Sequence, residues 1–266
     1  MKIFLKTEEE IQLMREANQL VGKTLAELFK HIKPGVSTKK LDDIAGEFIR
    51  DHGAIPTFLN FPNPNGYPFP ANICTSVNEI VVHGVPSEKQ ILKEGDIISI
   101  DCGTLLNGFN GDSAYTFCVG EVSDEVKQLL KATKESLYKG IEAAVAGHKV
   151  GDIGYTVQNY CESKGYGVVR ELTGHGIGRE MHEPPLIPNY GKRGNGSTLK
   201  NGMCIAIEPM ITMGDRKIGL MPDKWSIIAL DRKPAAHFEH TICVRKGKSE
   251  ILSSFEEIEL LEGEIY

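Results

Sequence analysis

One ten-residue pattern occurs twice in this chain, as LKEGDIISID at residues 92–101 and as LKNGMCIAIE at residues 199–208. Every position is offset by 107 residues (208 − 101), and both apolar, strand-forming runs end in a carboxylate, Asp101 or Glu208. Two acids buried at the ends of strands are unfavourable unless a cation neutralises them. The repeat therefore predicts a metal site between the two halves of a duplicated fold.

Helical segments repeat in the same order as the strands. The patterns predict helices from about Thr7 to His31, from Thr38 to Asp51, after Ser123, and from about Ile153 to Lys164. The second and fourth helices match without a gap at an offset of 112 residues (165 − 53), which aligns Gly53 with Gly165. This order predicts an α+β fold with pseudo-twofold symmetry and a central antiparallel sheet. We expect a single domain over residues 1–266, with half-repeats at about 7–120 and 123–250.

The composition is that of an ordinary globular protein, with 266 residues of which 41% are hydrophobic and 25% charged. The net charge of −6 argues against nucleic acid as the main partner. The longest apolar runs are as short as strands, so no membrane span is expected. The six cysteines form no Cys-x-x-Cys pair, which favours reduced, buried thiols in a cytoplasmic protein over a disulfide scaffold.

Asp101 and Asp112 are predicted to lie on the two strands of a β-hairpin. The turn signal LNG at residues 106–108 separates two strand-like runs. If residues 106 and 107 form the loop, the two aspartates pair directly on one face, where like charges are unfavourable without a cation. In the alternative interpretation, Asp112 is a turn or bulge residue at a solvated strand end.

Glu239 belongs to a further strand-like run at residues 236–244. Alternation along a strand places Glu239 on one face with His237 and Thr241 and places His240 on the opposite face. Only part of this cluster is therefore expected to reach any one site. We interpret His237 and His240 as surface histidines or as core histidines whose hydrogen bonds are satisfied.

Three other histidines lie beside glycines or near strand ends. The segment TGHGIG at residues 173–178 surrounds His175 with glycines, which let the backbone approach a ligand closely. It lacks the Lys-Ser/Thr ending of a phosphate loop. His83 follows a strand-like run in VVHGVP, and His182 follows closely after His175 in MHEP. These contexts favour a functional role for the three histidines.

The candidate residues match the charge of two divalent cations per chain. They comprise four carboxylates and one neutral imidazole, namely Asp101, Asp112, Glu208, Glu239 and His175. This oxygen-rich donor set fits Mn, Fe, Co or Zn better than a structural zinc site built from thiolates. Two such ions about 3.5–4 Å apart can share a hydroxide and polarise a carbonyl, as in aminopeptidases.

These motifs strongly resemble the type I methionine aminopeptidases, and the resemblance covers nearly the whole chain. The specific elements are SVNE followed by His83-Gly84, Asp101 with Asp112, GHGIG at 174–178, IEP at 207–209 and EHT at 239–241. The resemblance implies the "pita-bread" fold, which agrees with the duplication described above. Without a zinc-binding N-terminal extension, the sequence resembles the short bacterial form.

The resemblance also implies residue roles. Carried over by position, the five metal ligands are Asp101, Asp112, His175, Glu208 and Glu239. Glu208 would also act as general base and then acid, His83 would contact the scissile amide nitrogen, and His182 would hydrogen-bond the carbonyl oxygen as charge develops. The family's methionine pocket would involve Phe61, Tyr67, Cys74 and Trp225, because apolar and aromatic groups suit a thioether.

The implied activity is removal of the initiator methionine from nascent proteins and peptides whose second residue is small. The expected partners are nascent N-termini at the ribosome, with no membrane and no specific nucleic-acid sequence, and the expected state is a cytoplasmic monomer. Met181, Phe58 and the loop at residues 62–70 depart from the usual family pattern, which affects the expected pocket shape.

Two alternatives remain open from the sequence. The first is an Xaa-Pro aminopeptidase or prolidase of the same fold, although those relatives usually carry an extra N-terminal domain. The second is a non-enzymatic binding protein on that fold, although such proteins typically lose metal ligands. A peptide panel separates the first alternative from methionine removal, and metal analysis with a hydrolysis assay tests the second.

Overall fold

The structure, a computed structural model, describes residues 3–64 and 66–263, so the outermost residues of the predicted domain lie outside it. Its helices are α1 (Glu8–Phe29), α2 (Thr38–Asp51), α3 (Asp124–Ala143), α4 (Val150–Ser163) and α5 (Glu256–Glu262). In the described ranges, no helix combines the length and apolar character that crossing a bilayer requires. The first four helices correspond to the four that the sequence predicts.

Local signals fix where these helices begin. The Thr7 hydroxyl accepts from the Glu10 amide and the Glu10 carboxylate accepts from the Thr7 amide, which confirms the predicted capping box of α1. The helix α4 begins three residues before the predicted Ile153. The reason is that the Asp152 carboxylate accepts from the Lys149 amide at 2.7 Å and so starts the first turn earlier.

Strands occupy most of the remaining chain. In the first half they are β1 (Ile55–Pro56), β2 (Cys74–Val77), β3 (Ile80–Val82), β4 (Ile97–Leu106) and β5 (Phe109–Cys118). In the second half they are β6 (Gly167–Val168), β7 (Thr173–Gly176), β8 (Glu183–Pro188), β9 (Cys204–Ile207), β10 (Met210–Thr212), β11 (Ile218–Leu220), β12 (Ile227–Ala229), β13 (Ala235–His237), β14 (His240–Cys243) and β15 (Glu250–Ile251).

All the paired strands run antiparallel. One sheet has the order β1-β4-β2 with β5 also paired to β4, and another has the order β15-β14-β9-β7-β8. Two three-stranded sheets, β13-β10-β6 and β11-β12-β3, complete the pairing among the described strands. The first two sheets each contain one copy of the repeated pattern, in β4 and in β9.

The helices cover the sheets and bury a common core between them. The helix α1 packs closely on β4 and β5 because Gly111 has no side chain. A Cβ on Gly111 would lie 2.6 Å from the Ala17 backbone. The side chains of Tyr115 and Phe117, on β5, are fully buried against this helical layer. Burial of such aromatic groups contributes about 1.5–3 kcal/mol each relative to exposure.

The two halves share backbone details as well as element order. The Gly35 amide donates to the Leu92 carbonyl at 2.8 Å, and the Gly147 amide donates to the Leu199 carbonyl at 2.9 Å. Corresponding glycines also share a positive φ, in the pairs Gly35 and Gly147, Gly53 and Gly165, and Gly95 and Gly202. These matches agree with the repeat in the sequence. The half-repeat boundaries at 7–120 and 123–250 stay a prediction.

The β4–β5 hairpin forms, but its predicted register is wrong. Its loop is Asn107-Gly108, and both residues have positive φ, +53° and +79°. Asparagine and glycine tolerate this conformation, which a two-residue hairpin turn requires, whereas Leu106 does not. Asp101 therefore pairs with Ala114 and Asp112 pairs with Gly103, so the two aspartates are diagonal neighbours on one face.

The run that contains Glu239 is two strands, whereas the sequence predicts one. The strand β13 ends at His237 and β14 begins at His240, so Glu239 lies at the junction. There the Glu239 amide donates to the Ala114 carbonyl at 2.9 Å, and the Ser113 hydroxyl donates to the Glu239 carbonyl at 2.5 Å. The junction thereby attaches the Glu239 backbone to β5, beside Asp112.

Candidate metal centre

A cavity of about 240 Å³ opens where the sheets meet. Carboxylate and imidazole side chains line one end of it, namely Asp101, Asp112, Glu208, Glu239, His83, His175 and His182. Apolar and aromatic side chains line most of the rest, namely Phe58, Phe61, Phe69, Cys74, Leu172, Met210 and Trp225, with Thr173 among them. The cavity thus combines a polar cluster with an apolar wall.

Asp112, His175 and Glu239 form the tightest part of the polar cluster. One ligand atom from each lies within 4.8 Å of the other two, and all three side chains are buried. Asp112 belongs to β5, His175 to β7, and Glu239 to the junction between β13 and β14. Three segments that are distant in sequence therefore bring one nitrogen and two carboxylates to a common point.

Glu208 and Asp101 extend this cluster from the ends of the repeated pattern. Glu208 follows β9, and its Oε1 lies 3.7 Å from His175 Nε2, while Asp112 Oδ2 lies 3.6 Å from the same nitrogen. Asp101 lies on β4 directly opposite Cys74 of β2, and its carboxyl interacts with that of Asp112. The structure therefore gathers all five sequence-predicted ligand positions around one end of the cavity.

The carboxylates have the properties of an anionic donor set that needs a cation. Asp101 Oδ1, Asp112 Oδ1 and Glu239 Oε1 are buried and have no hydrogen-bond partner among the residues described. Burial raises the pKa of Asp101 to about 7 and that of Glu208 to about 8. Burial together with the neighbouring carboxylates raises the pKa of Asp112 and Glu239 well above the usual range. These oxygens and the imidazole fit a divalent ion.

The His175 ring is oriented to present a lone pair to this cluster. Its Nδ1 lies 2.9 Å from the Gly176 carbonyl, so we assign the proton to Nδ1 and leave Nε2 free to accept or ligate. Burial lowers the pKa of His175 to about 3, which keeps the ring neutral near pH 7. A neutral imidazole is the form that binds metals.

The glycines around His175 serve the sheet, whereas the sequence predicts that they approach a ligand. A Cβ on Gly174 would lie 2.4 Å from the Ala206 carbonyl oxygen of β9. A Cβ on Gly176 would lie 2.4 Å from the Pro184 carbonyl oxygen of β8. Glycine therefore allows β7 to lie close to both neighbouring strands, which sets the position of His175.

His83 and His182 lie at the boundary between the polar cluster and the apolar wall. His83 has a positive φ of +57°, and burial lowers its pKa to about 4. His182 is exposed at the cavity mouth, with its ring centroid 4.3 Å from that of His175 and 5.2 Å from that of Phe61. Both imidazoles can therefore reach a molecule that occupies the cavity.

The sequence profile of metallopeptidase family M24 matches residues 12–246. The chain belongs to metallopeptidase family M24. Membership implies binding of a divalent metal, in agreement with the donor set of the cavity.

Two relatives indicate the branch of this M24 metallopeptidase. A methionine aminopeptidase from Clostridium acetobutylicum is 49% identical over 251 residues, which cover 94% of this chain and 98% of that protein. The crystal structure of a methionine aminopeptidase from Rickettsia prowazekii has a TM-score of 0.92 and 43% identity, covering 95% of this chain and 100% of that one. The predicted family resemblance and the pita-bread fold are confirmed.

An Xaa-Pro peptidase, the enzyme class of the first alternative, is less similar to this chain than the methionine aminopeptidases are. An Xaa-Pro dipeptidase from Bacillus anthracis has a TM-score of 0.76 and 26% identity, and the matched region covers 94% of this chain but 62% of that one. Because identity to methionine aminopeptidases is much higher, the comparison favours them over the dipeptidases.

The apolar wall of the M24 cavity includes three of the four predicted pocket residues. The cavity is lined by Phe61, Cys74 and Trp225. Among the described residues that line it, Tyr67 does not occur. The Tyr67 side chain is exposed. The backbone carbonyl of Tyr67 accepts a hydrogen bond from the Trp225 indole N–H at 3.0 Å. The structure therefore gives Tyr67 a part in holding Trp225.

Sequence reasoning missed several lining residues of this M24 metallopeptidase. Phe69, Leu172 and Met210 are apolar residues with no chemical signature of their own. Their positions carry a signal for Met210, which follows Glu208 by two residues, and for Thr173, which is the first residue of the glycine-rich segment at 173–178. Phe58, noted as a departure from the family pattern, lines the wall, and its ring packs beside Met181 over Gly103.

The two histidines near Glu239 have different surroundings. His240 Nδ1 lies 2.7 Å from the Ser253 hydroxyl, and its ring stacks on Phe255, which confirms a satisfied core histidine. For His237 that interpretation is wrong. Its buried Nε2 has no hydrogen-bond partner in the described chain and lies 3.6 Å from Glu208 Oε2.

Proposed function

We propose that this chain removes the N-terminal methionine from peptides and nascent proteins whose second residue is small, by metal-assisted hydrolysis. The observation that carries the proposal is the joining of an apolar, aromatic cavity of about 240 Å³ to a cluster of four carboxylates and one imidazole. A methionine side chain fits the first part, and peptide-bond hydrolysis needs the second. The methionine aminopeptidases from Clostridium acetobutylicum and Rickettsia prowazekii, to which this chain is similar, support this assignment.

The proposed metal ligands are the five side chains gathered at the polar end of the cavity. They are Asp101, Asp112, His175, Glu208 and Glu239, whose four negative charges match two divalent ions. When bound, Mn, Fe, Co or Zn would lower the pKa of a water molecule and polarise the scissile carbonyl. The buried carboxylate oxygens without partners support this occupancy, because an uncompensated buried charge is strongly unfavourable.

The other polar side chains act on the substrate itself. Glu208 would accept a proton from the attacking water and return it to the departing amino group, because its carboxylate lines the cavity beside the proposed metal position. His83 would contact the scissile amide nitrogen. His182 would donate to the carbonyl oxygen as negative charge develops there.

The apolar wall would bind the methionine side chain. Phe61 and Trp225 offer aromatic surfaces, and Cys74 offers a small polarisable group opposite Asp101. Because His182 lies exposed at the mouth, an extended N-terminus can enter without unfolding the wall. This access suits the N-terminus of a nascent chain, and we propose a cytoplasmic, monomeric enzyme that acts at the ribosome.

A peptide panel tests the proposed substrate. Met-Ala and Met-Gly peptides should be cleaved, Met-Leu peptides should react poorly, and Xaa-Pro peptides without methionine should not react. Cleavage of Xaa-Pro peptides with no turnover of Met-Ala would contradict the proposal. A folded protein that binds no divalent ion would instead indicate a binding protein.

Two substitutions test the proposed roles. Glu208→Gln should abolish turnover, and His182→Ala should lower kcat by roughly 10²–10³-fold, the range for losing one such donor. The matched control is His148→Ala, since His148 is an exposed histidine outside the cavity. Turnover at the wild-type rate in either cavity variant would refute that role.

A further inference from the structure

His237 occupies a fixed position beside the metal centre. It is the last residue of β13, its side chain is buried, and its register partner on β10 is Met210. The His237 amide donates to the Thr116 hydroxyl at 3.0 Å, and that hydroxyl donates to the His237 carbonyl at 2.8 Å. Both polar groups of the backbone are therefore held by β5, so the fold sets where the ring points.

The ring points at the carboxylates. Its Nε2 lies 3.6 Å from Glu208 Oε2 and 4.0 Å from Glu239 Oε2, and it has no hydrogen-bond partner in residues 3–64 and 66–263. A buried N–H or ring nitrogen without a partner is unfavourable, and such groups call for an explanation. The nearest acceptor is the Glu208 carboxylate, and a small rotation of the His237 ring brings its Nε2 within hydrogen-bond distance of Oε2.

Glu208 therefore lies between two imidazoles. Its Oε1 faces His175 Nε2 at 3.7 Å, and its Oε2 faces His237 Nε2 at 3.6 Å. The two rings differ in their other contacts, because His175 Nδ1 is engaged by the Gly176 carbonyl. The geometry separates the two oxygens of one carboxylate, one toward the ligand nitrogen of His175 and one toward His237.

We propose that His237 is a positioning residue for Glu208, whose Oε2 accepts a hydrogen bond from His237 Nε2–H while Oε1 remains directed at the metal position beside His175. The inference rests on the proposed function, since it assigns Glu208 a metal-binding and proton-transferring role. Partners that orient metal-binding carboxylates contribute about 10–100-fold to metal affinity or activity. Loss of His237 should therefore weaken metal binding and lower kcat, with little effect on KM.

The test compares His237→Gln, which keeps an N–H donor of similar reach, with His237→Leu, which removes it. Metal-free full-length proteins are titrated with Co²⁺ while the visible absorption of the bound ion is followed, and kcat and KM are measured with a Met-Ala peptide. We expect His237→Leu to lose about 10-fold or more in Co²⁺ affinity and in kcat. We expect His237→Gln to recover most of both losses.

His240→Gln is the matched control, because His240 is equally buried but faces Ser253 and Phe255. It should leave the Co²⁺ titration unchanged. Wild-type affinity and kcat in His237→Leu would overturn the proposal. So would a His237→Gln protein that is as impaired as His237→Leu, because the nitrogen would then act as a direct ligand or the ring as packing.

The test of His237 includes a replacement variant in case of misfolding and a metal titration that needs no turnover. If His237→Leu does not fold, as judged by circular dichroism, His237→Met replaces it as the variant without a donor. The Co²⁺ titration does not depend on peptide hydrolysis. If the peptide panel fails while the titration shows the expected order, the proposed function is refuted and the positioning of Glu208 is retained.

Discussion

Lys6 and Glu183 form an ion pair that is buried on both sides, with side-chain exposures of 5% and 8%. Glu183 directly follows His182, and the Lys6 amide donates to the Gly202 carbonyl, just before β9. Gly178 leaves room for the Lys6 side chain, since a Cβ there would lie 2.4 Å from Lys6 Cε. The pair therefore joins the start of the chain to the loop that carries His182.

Breaking this pair on one side should be strongly destabilising. Lys6→Met would leave the Glu183 carboxylate buried without its partner, which costs about 3–5 kcal/mol of unfolding free energy. The double variant Lys6→Met/Glu183→Leu should recover most of that loss, because it buries no unpaired charge. Urea unfolding measures both. The control is Arg179→Met, which removes an exposed ion pair with Glu10 and should cost less than about 1 kcal/mol.

The close approach of β7 to β9 gives a second prediction. Gly174→Ala would place a methyl group against the Ala206 carbonyl, so β7 must shift and move His175 away from Glu208. We expect at least about a 10-fold loss of Co²⁺ affinity, the effect of disturbing a ligand's supporting shell. Calorimetric titration of the metal-free protein measures it.

The control for that substitution is Gly165→Ala. A Cβ on Gly165 would meet no atom within 4 Å, but its φ of +86° makes alanine strained by about 1–2 kcal/mol. This variant should lose some stability and retain normal metal affinity. Equal metal affinity in both variants would show that the spacing of β7 and β9 does not position His175.

Short-range sequence patterns explain which helix ends are predicted correctly. The bounds of α2 and the capped start of α1 follow from short-range patterns, and both agree with the structure. The predicted hairpin loop is displaced by one residue, which shifts each pairing partner by two residues, because the loop depends on which residues tolerate positive φ. Asn107-Gly108 meets that requirement, and the LNG signal alone does not distinguish it from the loop at 106 and 107.

Long-range pairing explains what the sequence does not predict. The role of His237 depends on its register with Met210, which brings it beside Glu208, and alternation within its own strand carries no such information. The apolar lining residues Phe69 and Leu172 were missed for a similar reason. Their side chains are ordinary hydrophobic groups, and only the packing of separate segments turns them toward the cavity.

The carboxylate cluster predicts how the stability of the metal-free protein depends on pH. The folded-state pKa values of Asp101 and Glu208, about 7 and about 8, lie above their ordinary values of 3.8 and 4.5. The folded state therefore binds more protons, and unfolding free energy falls as pH rises through this range. Below about pH 7.5 the buried histidines oppose this trend, because their pKa values are lowered in the folded state and the unfolded state therefore binds more protons.

The range in which the carboxyl groups dominate is therefore pH 7.5 to 8.5, where about nine-tenths or more of the unfolded-state histidines are neutral. We expect the metal-free protein to lose about 0.5–1 kcal/mol of unfolding free energy across that range. Saturating Mn²⁺ should abolish the decline, because metal-bound carboxylates are ionised throughout. Urea unfolding at each pH measures the effect, and a flat or rising profile without metal would contradict the assigned pKa shifts.

The apolar wall predicts a separate effect on substrate binding. The Trp225 indole donates to the Tyr67 carbonyl at 3.0 Å, and its ring meets Phe69 edge-on with centroids 5.1 Å apart. Trp225→Phe keeps an aromatic surface but removes the donor, which is worth about 1 kcal/mol, or roughly 5-fold in affinity. We expect KM for a Met-Ala peptide to rise by about that factor while kcat stays within about 2-fold, since Glu208 and His182 are untouched.

The control is Tyr67→Phe, which removes the hydrogen bond from an exposed hydroxyl to the Asp223 carbonyl, and we expect its KM to change less. An unchanged KM in Trp225→Phe would show that the indole does not hold the methionine wall in place.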